Sequence, residues 1–259
     1  MTQQHISTQM IPERDEPALY INPNSEQIAA FAEEAVTVED QPRVRLLADS
    51  DEIKDALYSF LTASKIAELI HRDQLSLRTL AEPVQNTIFT TESEAVVPVM
   101  GKYSISSSDP ELVSSVYGEF DSRFEAAEQY HLRTPALSVV NQTLREEIGD
   151  ATADELNEVL AHAEEISNSN EYLSIVEIML ILAARNEVLL YDISKWGEDT
   201  GIASKATFSR AKSALEDTGL IKTEKVPLDV GRPRLRLLAT ETIATADLKT
   251  LSTEISTPF

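Results

Sequence analysis

"YDISKWGEDTGIASKATFSRAKSALEDTGLIKTEKVPLDVGRPRLRLL", residues 191–238, is the stretch whose reading decides the fold. Residues 191–202 read as a short helix capped by Asp192 and stopped at Gly201. Ser204 then stands where an N-cap is wanted, its oxygen available to the first free amides of a helix running to Thr218. Gly219 is the expected stop, since a glycine takes the left-handed conformation at no steric cost. Two strand-like runs follow, LIKTEKV and PRLRLL, joined by PLDVGR with the Pro, Asp and Gly of a tight connection. Upstream, Ser174 and Glu177 make a capping box ahead of IVEIMLILAAR (175–185), which is apolar nearly all round. Such a helix is buried on more than one side. Simple core, and core plus a dimer seam, both fit it.

Helix, helix, turn, helix and hairpin is the order of a winged helix-turn-helix. Gly197 lets the following helix cross closely, Gly201 makes the turn, and Trp196 and Ile202 fill the interior. Phe208, Ala211 and Leu215 face that interior at helical spacing. The opposite face presents Ala206, Ser209, Arg210 and Ser213. It is small and polar, with one arginine able to reach guanine O6 and N7 in a major groove. The expected DNA-binding set is Ser204, Lys205, Ala206, Thr207, Ser209, Arg210, Lys212, Ser213, Arg232 and Arg234. Lys205 and Lys212 are placed for phosphates, and Arg232 for phosphate or a neighbouring minor groove. The turn GIASKATF is a residue longer than the simplest spacing, which leaves the base-reading register open by one position.

The charge distribution supports that set. The chain has 259 residues and a formal net charge of −22. Residues 171–259 hold 11 basic and 13 acidic side chains, leaving 11 and 31 for residues 1–170. Within 204–238, eight basic residues face four acids, a local excess of +4. A dispersed acidic surface with few lysines suits a salt-rich cytoplasm, where net charge serves solubility; an ordinary acidic mesophilic protein is the alternative. At molar salt the Debye length is roughly 3 Å, so the acidic half hardly repels a distant polyanion.

Residues 40–130 read as an α/β unit. Asp49 with Glu52 is a capping-box-like pair opening an amphipathic helix through Ile53, Ala56, Leu57, Phe60 and Leu61, continued by KIAELIHR (65–72). QLSLRTL (74–80), NTIFTT (86–91) and EAVVPVM (94–100) read as strands. Asp109 and Pro110 open a helix with one apolar stripe: Leu112, Val113, Val116, Tyr117, Phe120, Phe124 and Ala127. From Pro135 the composition turns helical, with Thr152 and Glu155 as another capping box. SNSN (167–170) is the best linker candidate. The expected organisation is mixed α+β: a flexible arm (1–17), an α/β sensor-like domain (18–134), a helical connector (135–170), the winged helix-turn-helix (171–240) and a tail (241–259).

Other functions find little support. There are no cysteines, hence no disulfides or thiolate sites. His5, His71, His131 and His162 lack metal-ligand spacing. No G-x-S-x-G, G-x-x-x-x-G-K-[ST] or G-x-G-x-x-G occurs, so neither a hydrolase triad nor a nucleotide loop is indicated. Adjacent acids such as Glu33–Glu34 and Glu146–Glu147 point apart on a helix and read as solvated faces. No enzyme activity, metal or cofactor is expected. No apolar run spans a membrane and no secretory signal opens the chain, which fits a cytoplasmic protein.

Residues 189–221 and 225–238 (KVPLDVGRPRLRLL) resemble haloarchaeal winged-helix transcriptional regulators, most closely a family typified by the TrmB suppressor protein. VRLLADSDEI and TTESEAVVPVMGKYSISSSDPELVSSVYGEF resemble, less specifically, effector domains of archaeal regulators. Those relatives mostly place the DNA-binding module first; here it comes last. The resemblance implies sequence-specific control of transcription, with metabolic genes as the expected targets. Expected partners are double-stranded promoter DNA, a second copy of the chain (by analogy with paired major-groove readers) and a small-molecule effector on the N-terminal domain. The alternative is a winged helix that docks another protein without binding DNA.

Overall fold

The structure is a computed structural model that describes residues 16–38, 42–100, 103–163, 173–227 and 232–248. The expected arm (but for Glu16 and Pro17), the SNSN linker, the tail beyond Leu248 and the hairpin tip 228–231 lie outside the described residues. The chain divides into two compact units, 1–136 and 137–259.

The first unit runs β1 (Ala18–Ile21), α1 (Ser25–Ala35), β2 (Val44–Ala48), α2 (Ser50–Ala56), α3 (Phe60–His71), β3 (Leu75–Thr79), β4 (Ile88–Thr90), β5 (Ala95–Val99), β6 (Tyr103–Ser107), α4 (Pro110–Ala126) and β7 (Glu128–Gln129). Its strands form one mixed sheet in the order β6-β5-β4-β1-β2-β3-β7. β1, β2 and β3 are parallel neighbours, and the remaining pairings are antiparallel. β1 and β2 are central and covered on both faces, which is why ALYI and VRLLA are nearly continuous apolar runs. Helices α1 to α3 supply Phe31, Ile53 and Ile66 to one face, against Tyr20 and Leu46. α4 closes the other through Phe120 and Phe124 against Leu19, Ile21 and Leu47.

Several local expectations change here. Asp49 caps α2, but through the Asp51 amide at 2.8 Å. Glu52 does not complete a capping box; it reaches across to the Ser25 amide at 2.7 Å, at the start of α1. The long amphipathic helix expected after Asp49 is broken at Leu57, and Ser59 caps a separate α3. Leu112, placed in the α4 stripe, is 46% exposed. Asp109 and Pro110 open α4 as expected, Asp109 accepting the Leu112 amide at 2.9 Å.

The second unit runs α5 (Leu137–Glu147), α6 (Asp150–Ala163), α7 (Ile175–Arg185), α8 (Leu190–Asp199), α9 (Lys205–Asp217), β8 (Ile221–Val226), β9 (Arg234–Ala239) and α10 (Glu241–Thr245). Its centre is α7, capped by the expected Ser174–Glu177 box and contributing seven buried residues. Elements of the same chain surround it: α6, α8, α9, α10 and the β8–β9 hairpin. Its all-round apolarity is thus met as core within one chain. α5 and α6, expected as a connector, pack Val140, Leu144, Leu156 and Val159 into this same core. Thr152 and Glu155 are not a cap, because α6 begins at Asp150. Instead Glu155 accepts from Arg185 Nε at 3.0 Å and Asn186 Nδ2 at 2.8 Å. Arg185 also donates to the carbonyls of Ile243 and Ala246, which ties α10 to the unit.

Candidate nucleic-acid interface

α8 and α9 cross closely because Gly197 has no side chain. A Cβ there would lie 2.3 Å from Phe208 Cε2. The turn closes as the amides of Ile202 and Ala203 donate to the Gly197 carbonyl at 2.9 and 3.2 Å, with Gly201 at φ +84°. Asp192 is not the cap of α8. Leu189 holds that position without a side-chain hydrogen bond, and Asp192 lies in the first turn. α9 follows the expected faces. Phe208 and Leu215 are buried, while Ala206, Ser209, Arg210 and Ser213 are exposed. β8 and β9 pair from Ile221↔Ala239 to Val226↔Arg234. A bridge from Leu189 to Arg236, with the Leu237 amide donating to the Val188 carbonyl at 2.9 Å, docks the hairpin onto the chain before α8.

The expected site residues other than Arg232 fall into three groups. Ser204 is the N-cap of α9: its hydroxyl accepts the Thr207 amide at 3.2 Å and lies 3.0 Å from the Thr207 hydroxyl. Both side chains therefore serve the cap first. Ala206, Ser209, Arg210 and Ser213 form the open face. Among the described residues, Arg210 meets only the Ala206 carbonyl at 3.4 Å and the Thr207 hydroxyl at 3.5 Å. Lys205, Lys212 and Arg234 carry carboxylate partners. Lys205 Nζ lies 2.7 Å from Glu198 Oε2, and Arg234 3.3 Å from Asp192. Their mutual hydrogen bond raises the Lys205 pKa and lowers that of Glu198.

Lys212 differs from the expectation of a phosphate-facing flank. Its side chain is only 13% exposed, and Nζ is 2.6 Å from Glu216 Oε2. Glu216 Oε1 accepts from the Thr223 hydroxyl at 2.6 Å, so this acid joins α9 to β8. Burial raises the Glu216 pKa, but the hydrogen bonds from Lys212 and Thr223 outweigh it and the net shift is downward. Lys212 is an internal fastener.

Between α8, α9 and the hairpin lies an open cavity of about 390 Å³, lined by Tyr191, Ser194, Lys205, Ser209, Arg232 and Arg234 among others. Arg232 is exposed at its rim. The Arg234 guanidinium stacks 4.1 Å from the Tyr191 ring centroid, an arrangement that fixes the arginine plane. Sequence reasoning missed Tyr191 and Glu198. Tyr191 left a signal, an aromatic at the start of a helix otherwise patterned for burial. Glu198 meets Lys205 across a turn, outside any within-helix spacing rule. Among the described residues no group of three or more His, Asp or Glu could hold a metal. No described helix is long and apolar enough to cross a membrane.

Residues 1–135 match the family model "Transcriptional regulator TbsP-like, N-terminal", and residues 136–256 match "Transcriptional regulator TbsP-like, C-terminal HTH domain". No curated protein matches the chain. One similar solved structure is TrmBL2, described as an archaeal chromatin protein with a novel mode of DNA binding. It is 16% identical over 48% of this chain and 49% of that one, with a TM-score of 0.34. The similarity thus spans about half of that protein's length.

Proposed function

The chain belongs to the TbsP-like family of transcriptional regulators, and on that premise we propose that its C-terminal unit binds promoter DNA through α9. The observation that carries the reading is the split character of α9. Phe208 and Leu215 anchor it in the core, while Ala206, Ser209, Arg210 and Ser213 stand exposed without an acid among them. Small side chains let the helix enter a major groove, and Arg210 with Ser209 reads base edges. Lys205, Arg232 and Arg234 hold phosphates on either side of the cavity. Lys212 supports α9 from within.

The protein acts as a homodimer on two-fold sites, and its N-terminal α/β unit senses a small molecule or mediates assembly. Metabolic promoters are the proposed targets. The test is fluorescence anisotropy with genomic fragments, run from low to molar KCl and followed by sequencing of chromatin captured with the protein. Selective retention of a shared promoter sequence is the expected result. Failure to bind any duplex at any salt concentration sinks the reading and favours a winged helix used for docking proteins.

A further inference from the structure

The lysines of α8 and α9 share a feature that Arg210 lacks. Lys195 is paired with Asp199, Lys205 with Glu198 and Lys212 with Glu216. Among the described residues, no carboxylate lies within 4.0 Å of Arg210. Two of these pairs are ordinary i,i+4 contacts along one helix. The Lys205–Glu198 pair is different, because it joins the end of α8 to the start of α9.

The Glu198 carboxylate makes two contacts there. Oε2 receives the Lys205 ammonium at 2.7 Å, and Oε1 faces the Lys205 backbone amide at 3.4 Å. That amide is among the first in α9, where helix amides lack internal acceptors and the helix dipole favours an anion. A DNA phosphate arriving at Lys205 would use the same ammonium and the same amide. The carboxylate is paired with Lys205, which itself lines the cavity.

Resting on the DNA-binding reading, we propose that Glu198 is a built-in competitor for DNA phosphate at Lys205, and that it holds down affinity for duplexes of any sequence. Phosphate engagement at Lys205 must displace Glu198, whose charge then stands beside a polyanion. Part of the counterion-release gain from Lys205 is therefore cancelled. The contribution of Arg210 at base edges is left intact, because no acid shadows it. A regulator facing a genome of competing sites gains from a low general affinity.

The experiment is anisotropy of a short labelled duplex of random sequence, titrated with the full chain over a series of KCl concentrations. Four variants are compared with the parent: Glu198→Gln, Asp217→Asn, Lys205→Ala, and Glu198→Gln combined with Lys205→Ala. Asp217 closes the far end of α9, so Asp217→Asn removes the same charge away from Lys205. Glu198→Gln is expected to bind roughly two- to fivefold tighter than Asp217→Asn, the range of an exposed ion pair. Its plot of log affinity against log salt should steepen by up to about 0.9, one more effective phosphate contact. Without Lys205, the Glu198 change should add no more than Asp217→Asn does. Glu198→Gln binding no tighter than Asp217→Asn, while the parent binds the duplex, overturns this proposal alone. Absence of binding by every form overturns the DNA reading, and this inference with it.

Discussion

The indole Nε1 of Trp196, on α8, donates to Thr143 Oγ1 on α5 at 3.0 Å. Trp196 is fully buried, so its N–H has no water to turn to. The Thr143 hydroxyl in turn donates to the Val139 carbonyl at 2.8 Å. The helix-turn-helix is thereby fastened to a helix some fifty residues upstream. α5 is structurally part of the winged unit, and its loss would strand a buried donor.

Thr143→Val keeps the shape and removes the acceptor. We expect it to destabilise the second unit by about 1–3 kcal/mol, the cost of leaving a buried donor unpaired. Trp196 is the sole tryptophan of the chain, so its emission during urea unfolding reports this unit alone. A midpoint unchanged from the parent would show that the bond contributes nothing net.

Gly197→Ala would place a methyl group 2.3 Å from the Phe208 ring. The ring is buried and cannot swing away freely, so α8 and α9 must separate. Overpacking of this kind costs about 1–3 kcal/mol. Phe208→Leu makes room at the contact, so the double variant should lose less than the sum of the two single losses. Strict additivity in thermal unfolding would contradict the close-crossing account of Gly197.

What could be read beforehand follows from how local each signal is. Gly201, Ser204, Gly219 and the Phe208–Leu215 stripe act within a turn or two of chain, and all four stand where their chemistry puts them. The Ser174–Glu177 box is equally local and forms. Thr152–Glu155 carries the same pattern but is overridden, because Glu155 is taken by Arg185 and Asn186 from α7 and the residue after it. Glu52 is likewise drawn away to Ser25. Pairings across the fold decide such cases, and spacing cannot see them. β1 does not show in the sequence because ALYI is only four residues long, too short for a period to show. In the interface, the exposed face of α9 was legible from helical periodicity. Its partners on other elements were not, since Glu198 lies beyond a turn and Thr223 on a strand.

Arg210→Ala and Arg232→Ala should fail in different ways. Arg210 projects from the exposed face of α9, and under the proposed base-reading role its loss should cost about 1–3 kcal/mol at a cognate site while relaxing sequence preference. Arg232 stands at the cavity rim, and its loss should weaken cognate and random duplexes alike and reduce the salt slope by about 1. Competitive anisotropy with the two kinds of duplex distinguishes them. A sequence-selective loss in Arg232→Ala would move the base-reading role to the hairpin.

The last expectation concerns pH. Glu216 has an ordinary pKa of 4.5, lowered in the fold because the hydrogen bonds from Lys212 and Thr223 outweigh the effect of burial. A carboxyl whose folded value is depressed stabilises the fold most fully above its unfolded value. That stabilisation fades as pH falls from about 4.5 through the lower folded value, because protonation removes the acceptor of the Lys212 charge. In Glu216→Gln the α9–β8 link loses its ionic partner at every pH. The variant should unfold earlier than the parent near neutrality, and the two should converge in acid. Urea midpoints followed by Trp196 emission at pH 7 and at pH values below 4 measure the gap directly. A gap that stays constant, or widens in acid, would mean that the Glu216 charge does not join α9 to the hairpin.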